Sequence, residues 1–161
     1  MLKQTNNIFL IVILAIISLT IISALIIQYW LGHEPCKLCL YERIPYFLSM
    51  LLIIKIIFIK KYEKITLLIL ILVFMSSTVL AFYHFGIEQG FFKESLVCNL
   101  DNNITSLSKE DLIKELQQQT ISCKDVSFRI FNLSLATINT IISLILSVIM
   151  IKIFLNYGKN K

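Results

Sequence analysis

The chain contains four cysteines in two pairs of very different spacing. Cys36 and Cys39 flank Lys37 and Leu38 in a C-x-x-C arrangement, whereas Cys98 and Cys123 enclose a long polar segment. Cysteine reacts as the thiolate, which is favoured at the amino end of a helix and beside a cation. Both conditions hold at the first pair: an apolar run begins just after Cys39, and Arg43 lies four residues further on, on the same helical face. A guanidinium cannot lose its charge to escape burial, so Arg43 is expected to hold a thiolate at Cys39. Contact with lipid phosphate is the plainer role for an arginine at a helix end, and the adjacent cysteines argue against it.

The wide pair has two readings. A disulfide closing a long loop is a permanent staple worth about a few kcal/mol, or it takes part in thiol–disulfide exchange. Four thiolates also suit a tetrahedral zinc site, but that signature needs two close pairs, and Cys98 and Cys123 are too far apart in sequence to match it. His33 and His84 have no regular ligand spacing either, so no metal is expected. His84 belongs to Phe82-Tyr83-His84-Phe85. Tyr83, Phe85, Phe91 and Phe92 read most simply as an interfacial aromatic belt. A ring-shaped lipophilic acceptor would need such a niche at the depth of Cys39, which makes His84 a candidate contact for it.

The elements that must position these residues are apolar helices. Of 161 residues, 57% are hydrophobic and 16% charged, a balance unlike that of a soluble domain. Stretches 8–27, 40–59, 65–83 and 133–155 approach the roughly 20 residues needed to span a bilayer. The expected fold is therefore an all-α membrane protein, a four-transmembrane-helix bundle forming a single integral membrane domain over residues 1–161. Ser76, Ser77, Ser143 and Ser147 are candidates for its helix contacts. The first stretch exceeds a signal-peptide core and lacks a clear small-x-small cleavage site, so it reads as a retained helix. Pro45 suits the first turn of the second helix, or a kink if that helix begins earlier.

Charge distribution sets the orientation. The net charge of +5 is concentrated at the amino terminus (Lys3), in the link between the second and third stretches (Lys60, Lys61, Lys64), and at the carboxyl end (Lys152, Lys159, Lys161). Those three places share one side of a four-span protein, which the positive-inside rule makes cytoplasmic, with Lys55 able to snorkel toward it. Both termini are thus expected in the cytoplasm. The basic balance reports topology, with no nucleic-acid partner implied. The loops 28–39 and 84–132 then face outward and carry all four cysteines, in a compartment that permits disulfides. Within the longer loop, Ser108 and Asp111 approximate a capping box before Leu112, Ile113 and Leu116, predicting a short amphipathic helix. With both cysteine pairs on the same face of a very small protein, exchange between them is geometrically easy, which tilts the reading of Cys98 and Cys123 toward redox work.

The string Glu34-Pro35-Cys36-Lys37-Leu38-Cys39-Leu40-Tyr41-Glu42-Arg43, the later Tyr83-His84-Phe85-Gly86, and Cys98 with Cys123 resemble the DsbB family of disulfide-bond formation proteins. Span number and loop lengths agree, so the resemblance covers nearly the whole chain. It implies a multi-pass protein of the bacterial inner membrane with periplasmic cysteine loops. Its partner would be a periplasmic DsbA-type thioredoxin-fold thiol oxidase, which attacks the Cys98–Cys123 disulfide through a mixed disulfide at Cys98. Cys36 and Cys39 would re-oxidise the resulting dithiol and reduce a ubiquinone or menaquinone from the membrane pool, with the Cys39 thiolate against the quinone ring and Arg43 beside it. The absence of a Gly-rich dinucleotide fingerprint agrees with a lipid-dissolved oxidant. Two alternatives stand beside this: a DsbI-like relative serving a different thiol oxidase, and a disulfide-stapled membrane scaffold without redox turnover.

Overall fold

A computed structural model describes residues 7–93, 98, 123–124, 129–130 and 133–159. They form four helices, α1 (Asn7–Tyr29), α2 (Lys37–Phe58), α3 (Glu63–Glu88) and α4 (Leu135–Lys159). A two-residue antiparallel ladder, β1 (Arg129–Ile130) with β2 (Leu133–Ser134), leads into α4. Three helices are long and apolar enough to cross a membrane: α1, α3 and the Leu135–Asn156 part of α4. α2 differs because Lys37, Glu42, Arg43 and Lys55 interrupt its apolar sequence. The amphipathic helix expected near Ser108 lies outside the described residues.

Each helix buries a narrow stripe and leaves large apolar side chains on the outside. In α1 the buried residues are Leu10, Ile13, Ile17 and Ile21, one helical face, while Ile8, Leu19 and Ile22 on other faces stay exposed. An aqueous surface would penalise that exterior, whereas lipid accommodates it. The main core gathers those α1 residues with Ile53 and Ile56 of α2, Leu67, Leu70 and Phe74 of α3, and Leu146 and Met150 of α4. α3 packs most extensively on α4 and then on α2, and α1 packs on α2.

Small polar residues mark the α3–α4 seam. Ser77 and Ser143 are buried with their hydroxyls 3.4 Å apart, and Thr78 meets Ser147 at 3.0 Å. Ser76 departs from expectation: it is on the exposed face and returns its hydroxyl to the Val73 carbonyl at 2.8 Å. One residue of phase separates the two serines, and on a helix that is a rotation of about 100°.

Two boundaries differ from the sequence expectation. α2 begins at Lys37, so Pro45 falls inside the helix, where its missing N–H leaves one intrahelical bond unmade. α3 continues beyond residue 83 through His84 to Glu88. His84 is therefore a helical residue, held on α3 one turn before Glu88. At the opposite end, residue Tyr62 adopts a left-handed conformation before α3, and Lys55 Nζ donates to Thr66 Oγ1 across the hairpin. Lys55 thus ties α2 to α3 instead of extending freely.

The chain folds back immediately after α3. Phe91 and Phe92 both donate backbone N–H groups to the Gly86 carbonyl, at 2.8 and 3.2 Å, and the Phe92 ring stacks on Tyr83 at 5.6 Å. Gly86 is required for this closure, because a Cβ there would collide with the Phe92 ring. Gly86→Ala is expected to displace that ring and destabilise the folded protein by about 1–3 kcal/mol. Equilibrium unfolding in detergent measures it, and an unchanged stability would show that Phe92 yields without cost.

Candidate functional site

Cys36 is the N-cap of α2, and its Sγ accepts the Cys39 backbone N–H at 3.2 Å. The sulfur thus occupies the place that a serine or aspartate oxygen normally takes, at the positive end of the helix. Three and six residues beyond it, Cys39 and Glu42 follow along α2. From α3, His84 places Nε2 3.5 Å from Cys36 Sγ and Nδ1 2.8 Å from Glu42 Oε1. Glu88, one turn further, brings Oε1 to 3.9 Å from the same Nε2, while Ser134 donates its hydroxyl to Glu88 Oε2. His84 and Glu42 are both buried, so their contact is a desolvated one.

These neighbours decide where the thiolate sits. The Cys36 thiol is pulled well below the usual range to about 5, first by the hydrogen bond from the Cys39 thiol, then by His84 through its hydrogen bond and charge, against burial, which pushes it up. Within the reduced pair these neighbours favour the thiolate at Cys36, with the Cys39 thiol as its donor. Arg43 does not supply that stabilisation directly: its Nη1 donates to Gln28 Oε1 of α1 at 2.7 Å. Arg43 and Cys39 do meet on the wall of one cavity.

That cavity, of about 210 Å³, lies between α1, α2 and α4. Its apolar wall includes Ile21, Ala24, Ile27, Ile138 and Ile142, and its polar wall Cys39, Glu42, Arg43, His84 and Asn139. A largely apolar lining with a few hydrogen-bonding groups fits a lipophilic ring with polar substituents.

Cys98 and Cys123 are joined in a disulfide. Both are buried in a small cluster with Cys36, Leu38 and Ile87, against which Cys39, Leu80 and Tyr83 pack. All four cysteines therefore occupy one end of the bundle. Cys36, Cys39 and His84 bring their ligand atoms within 4.8 Å of one another.

Sequence reasoning did not single out Glu42, Glu88, Gln28, Tyr46 or Asn139. Glu42 was visible as an acid beside Arg43, on the face of α2 that carries Cys39. Asn139 is the one amide in the stretch 133–155, and such a residue within a span signals a partner inside the bundle.

The low-lying Cys36 thiol has a direct consequence. Because the thiolate persists as pH falls until it is protonated near its own pKa, alkylation of Cys36 in the reduced protein is expected to reach half its maximal rate at about pH 5. His84→Gln should raise that midpoint by about one unit or more, by removing a donor and a charge. Fragment mass analysis after iodoacetamide pulses reads both, and a midpoint near 8 in the wild-type protein would contradict this account of the site.

Comparison with known proteins agrees with the geometry. The chain is 26% identical over 160 residues to the uncharacterized protein RP370 of Rickettsia prowazekii (strain Madrid E), an alignment covering 98% of this chain and 92% of that one. Residues 5–153 match the family described as disulfide bond formation protein DsbB. With nearly the whole chain matched and its cysteine pairs gathered at one end of an apolar helical bundle, the protein belongs to the DsbB family.

Proposed function

We propose that this protein re-oxidises a periplasmic DsbA-type thiol oxidase and passes the electrons to a membrane quinone, ubiquinone or menaquinone. The observation that carries this reading is the shared position of the two cysteine pairs. Cys36 packs in the same cluster as the Cys98–Cys123 disulfide, while Cys39 packs against that cluster and also lines the cavity. Electrons entering at the wide pair thus have a short path to the close pair and then to the cavity.

In this scheme the protein is a four-span bundle of the bacterial inner membrane, with α2 as the fourth span. The lysine-rich hairpin and both termini face the cytoplasm, and the cysteine end faces the periplasm. A partner thiolate attacks Cys98 Sγ, the bond to Cys123 breaks, and Cys123 leaves as a thiolate. The partner's second thiolate then attacks the mixed disulfide and releases Cys98, so the partner leaves oxidised and the wide pair is reduced. Attack by that dithiol on an oxidised Cys36–Cys39 pair regenerates the Cys98–Cys123 bridge and leaves Cys36 and Cys39 reduced. When bound, the quinone supplies the acceptor for two electrons and two protons. Cys39 presents the sulfur nearest to it, Arg43 offers a fixed positive charge on the cavity wall, and His84 holds the thiol proton at Nε2. The apolar wall from α1 and α4 keeps water from the reacting sulfur.

A DsbI-like role would keep this chemistry and change the partner alone. A stapled scaffold would need neither the low Cys36 thiol nor the cavity beside Cys39.

Purified protein in detergent, mixed with a reduced DsbA-type partner and quinone, is expected to reduce quinone catalytically. Cys36→Ser should abolish that turnover, and Cys98→Ser should abolish capture of the partner as a mixed disulfide. Arg43→Ala should weaken quinone use by about tenfold, the scale of one lost charge-assisted contact, while leaving partner capture intact. No turnover with any quinone would refute the proposal, and Cys36→Ser retaining partner oxidation would favour the scaffold.

A further inference from the structure

Polar groups of α2, α3 and α4 form a continuous series next to the thiol site. Tyr46 OH donates to Asn139 Oδ1 at 2.5 Å, and Asn139 Nδ2 donates to Glu42 Oε2 at 2.6 Å. Tyr46 OH also lies 2.9 Å from Ser143 Oγ, and Ser143 Oγ lies 3.4 Å from Ser77 Oγ. Hydrogen-bond accounting gives this series a single direction. A hydroxyl has one proton, and that of Tyr46 goes to Asn139, so Ser143 must donate to Tyr46. The Ser143 proton is then used, and Ser77 must donate to Ser143. Asn139 turns its amide nitrogen to Glu42 because its oxygen faces the Tyr46 proton. Every donor in the series points toward Glu42.

Glu42 Oε2 is occupied by Asn139, which leaves Oε1 to accept from His84 Nδ1. A histidine whose Nδ1 carries the proton presents Nε2 as the free acceptor. That atom faces Cys36 Sγ. We infer that Asn139 and Tyr46 are positioning residues of the thiol site, which hold Glu42 as an acceptor at both oxygens and so fix His84 in the tautomer whose Nε2 takes the Cys36 proton. The transfer breaks the Cys36 S–H bond and forms an N–H bond at Nε2, and no electrons change hands in it. It rests on the proposed redox role of Cys36 and Cys39, and it extends that role to α4, which contributes no sulfur.

Among the described residues, the site's charged and titratable surroundings are few. Cys39, Glu42 and Arg43 come from α2, His84 and Glu88 from α3, and His33 and Glu34 from the link before α2, while the α4 residues lining the cavity are uncharged. Asn139 and Tyr46 therefore act through hydrogen bonds alone.

The test uses full-length protein in detergent, reduced and stripped of quinone, with Cys36 alkylation followed against pH at peptide resolution. Asn139→Leu is expected to raise the midpoint by about one unit and Tyr46→Phe by about half a unit, the range for loss of one hydrogen bond. Nitrogen-15 spectra of labelled histidine in the oxidised protein, where Cys36 has no thiol proton to transfer, assigned by the signal lost in His84→Gln, should show Nδ1 protonated in the wild type and the Nε2–H tautomer appearing in Asn139→Leu. Asn139→Gln should recover part of both effects. A purely structural role would lower stability without moving either readout. Wild-type midpoints and tautomers in folded Asn139→Leu would overturn the inference, and Tyr46→Phe, which removes a single oxygen, decides it if the leucine variant does not fold. Absence of quinone reduction by the wild-type protein would instead defeat the proposed function and leave these measurements standing.

Discussion

The contact between His84 and Glu42 is the interaction on which the rest of this molecule depends. Two groups of this kind in an apolar bundle are tolerated only when each finds its partner, since a single ionised side chain left behind costs about 3–5 kcal/mol. The pair spans 42 residues of sequence and joins α2 to α3 at the same level as the cysteines. Asn139 extends the connection to α4. Three helices are thereby held in register by polar contacts, where apolar side chains alone discriminate poorly between neighbouring registers in lipid. The helix that carries Cys39 is placed by the same contacts that surround the Cys36 thiol.

This explains the unequal construction of the two ends. Away from the cysteines, the interior is filled by Ile53, Ile56, Leu67, Leu70 and Met150, and packing suffices. Toward them, α2 buries Tyr46 and Glu42 in succession on the face that further along buries Ile53. Lys37, Glu42, Arg43 and Lys55 make α2 less apolar than α1, α3 and α4, the helices long and apolar enough to cross a membrane. Its charged residues are the reason that the site exists.

The same physics determines what was legible in the sequence. Four helices follow from apolar length, and the candidate site was marked by Cys36-x-x-Cys39 beside Arg43. Facing directions were harder to read, because lipid and protein interior are equally apolar and a helix such as α1 shows no polar side. Hence Ser77 and Ser76 looked equivalent, although Ser77 is buried at the seam and Ser76 is exposed. The end of α3 was obscured by its aromatic residues, which suit an interface as well as a helix, and this hid His84's place on the same element as Glu88. Proximity in sequence also favoured Arg43 as the thiolate's companion. In space the companion is His84, since the N-cap geometry puts the accepting sulfur at Cys36, and Arg43 reaches toward Gln28 on α1.

The two sulfurs of the close pair face different surroundings, and this divides their work in the proposed relay. Cys36 packs with the Cys98–Cys123 disulfide, and Cys39 lines the cavity. A negative charge resting on Cys36 is on the side where exchange with the wide pair takes place. Delivering electrons to the cavity requires that charge to pass to Cys39, which needs the Cys39 proton to be taken up by a neighbour. In the proposed relay Cys36 is that neighbour, since the Cys39 thiol already donates to it, and Arg43, on the cavity wall, would give the displaced charge a counter-ion once its bond to Gln28 is exchanged. The arrangement thus separates a resting thiolate, held by donors from α2 and α3, from a reacting one beside a fixed cation. A bundle that stabilised both sulfurs equally would have no reason to release electrons in one direction.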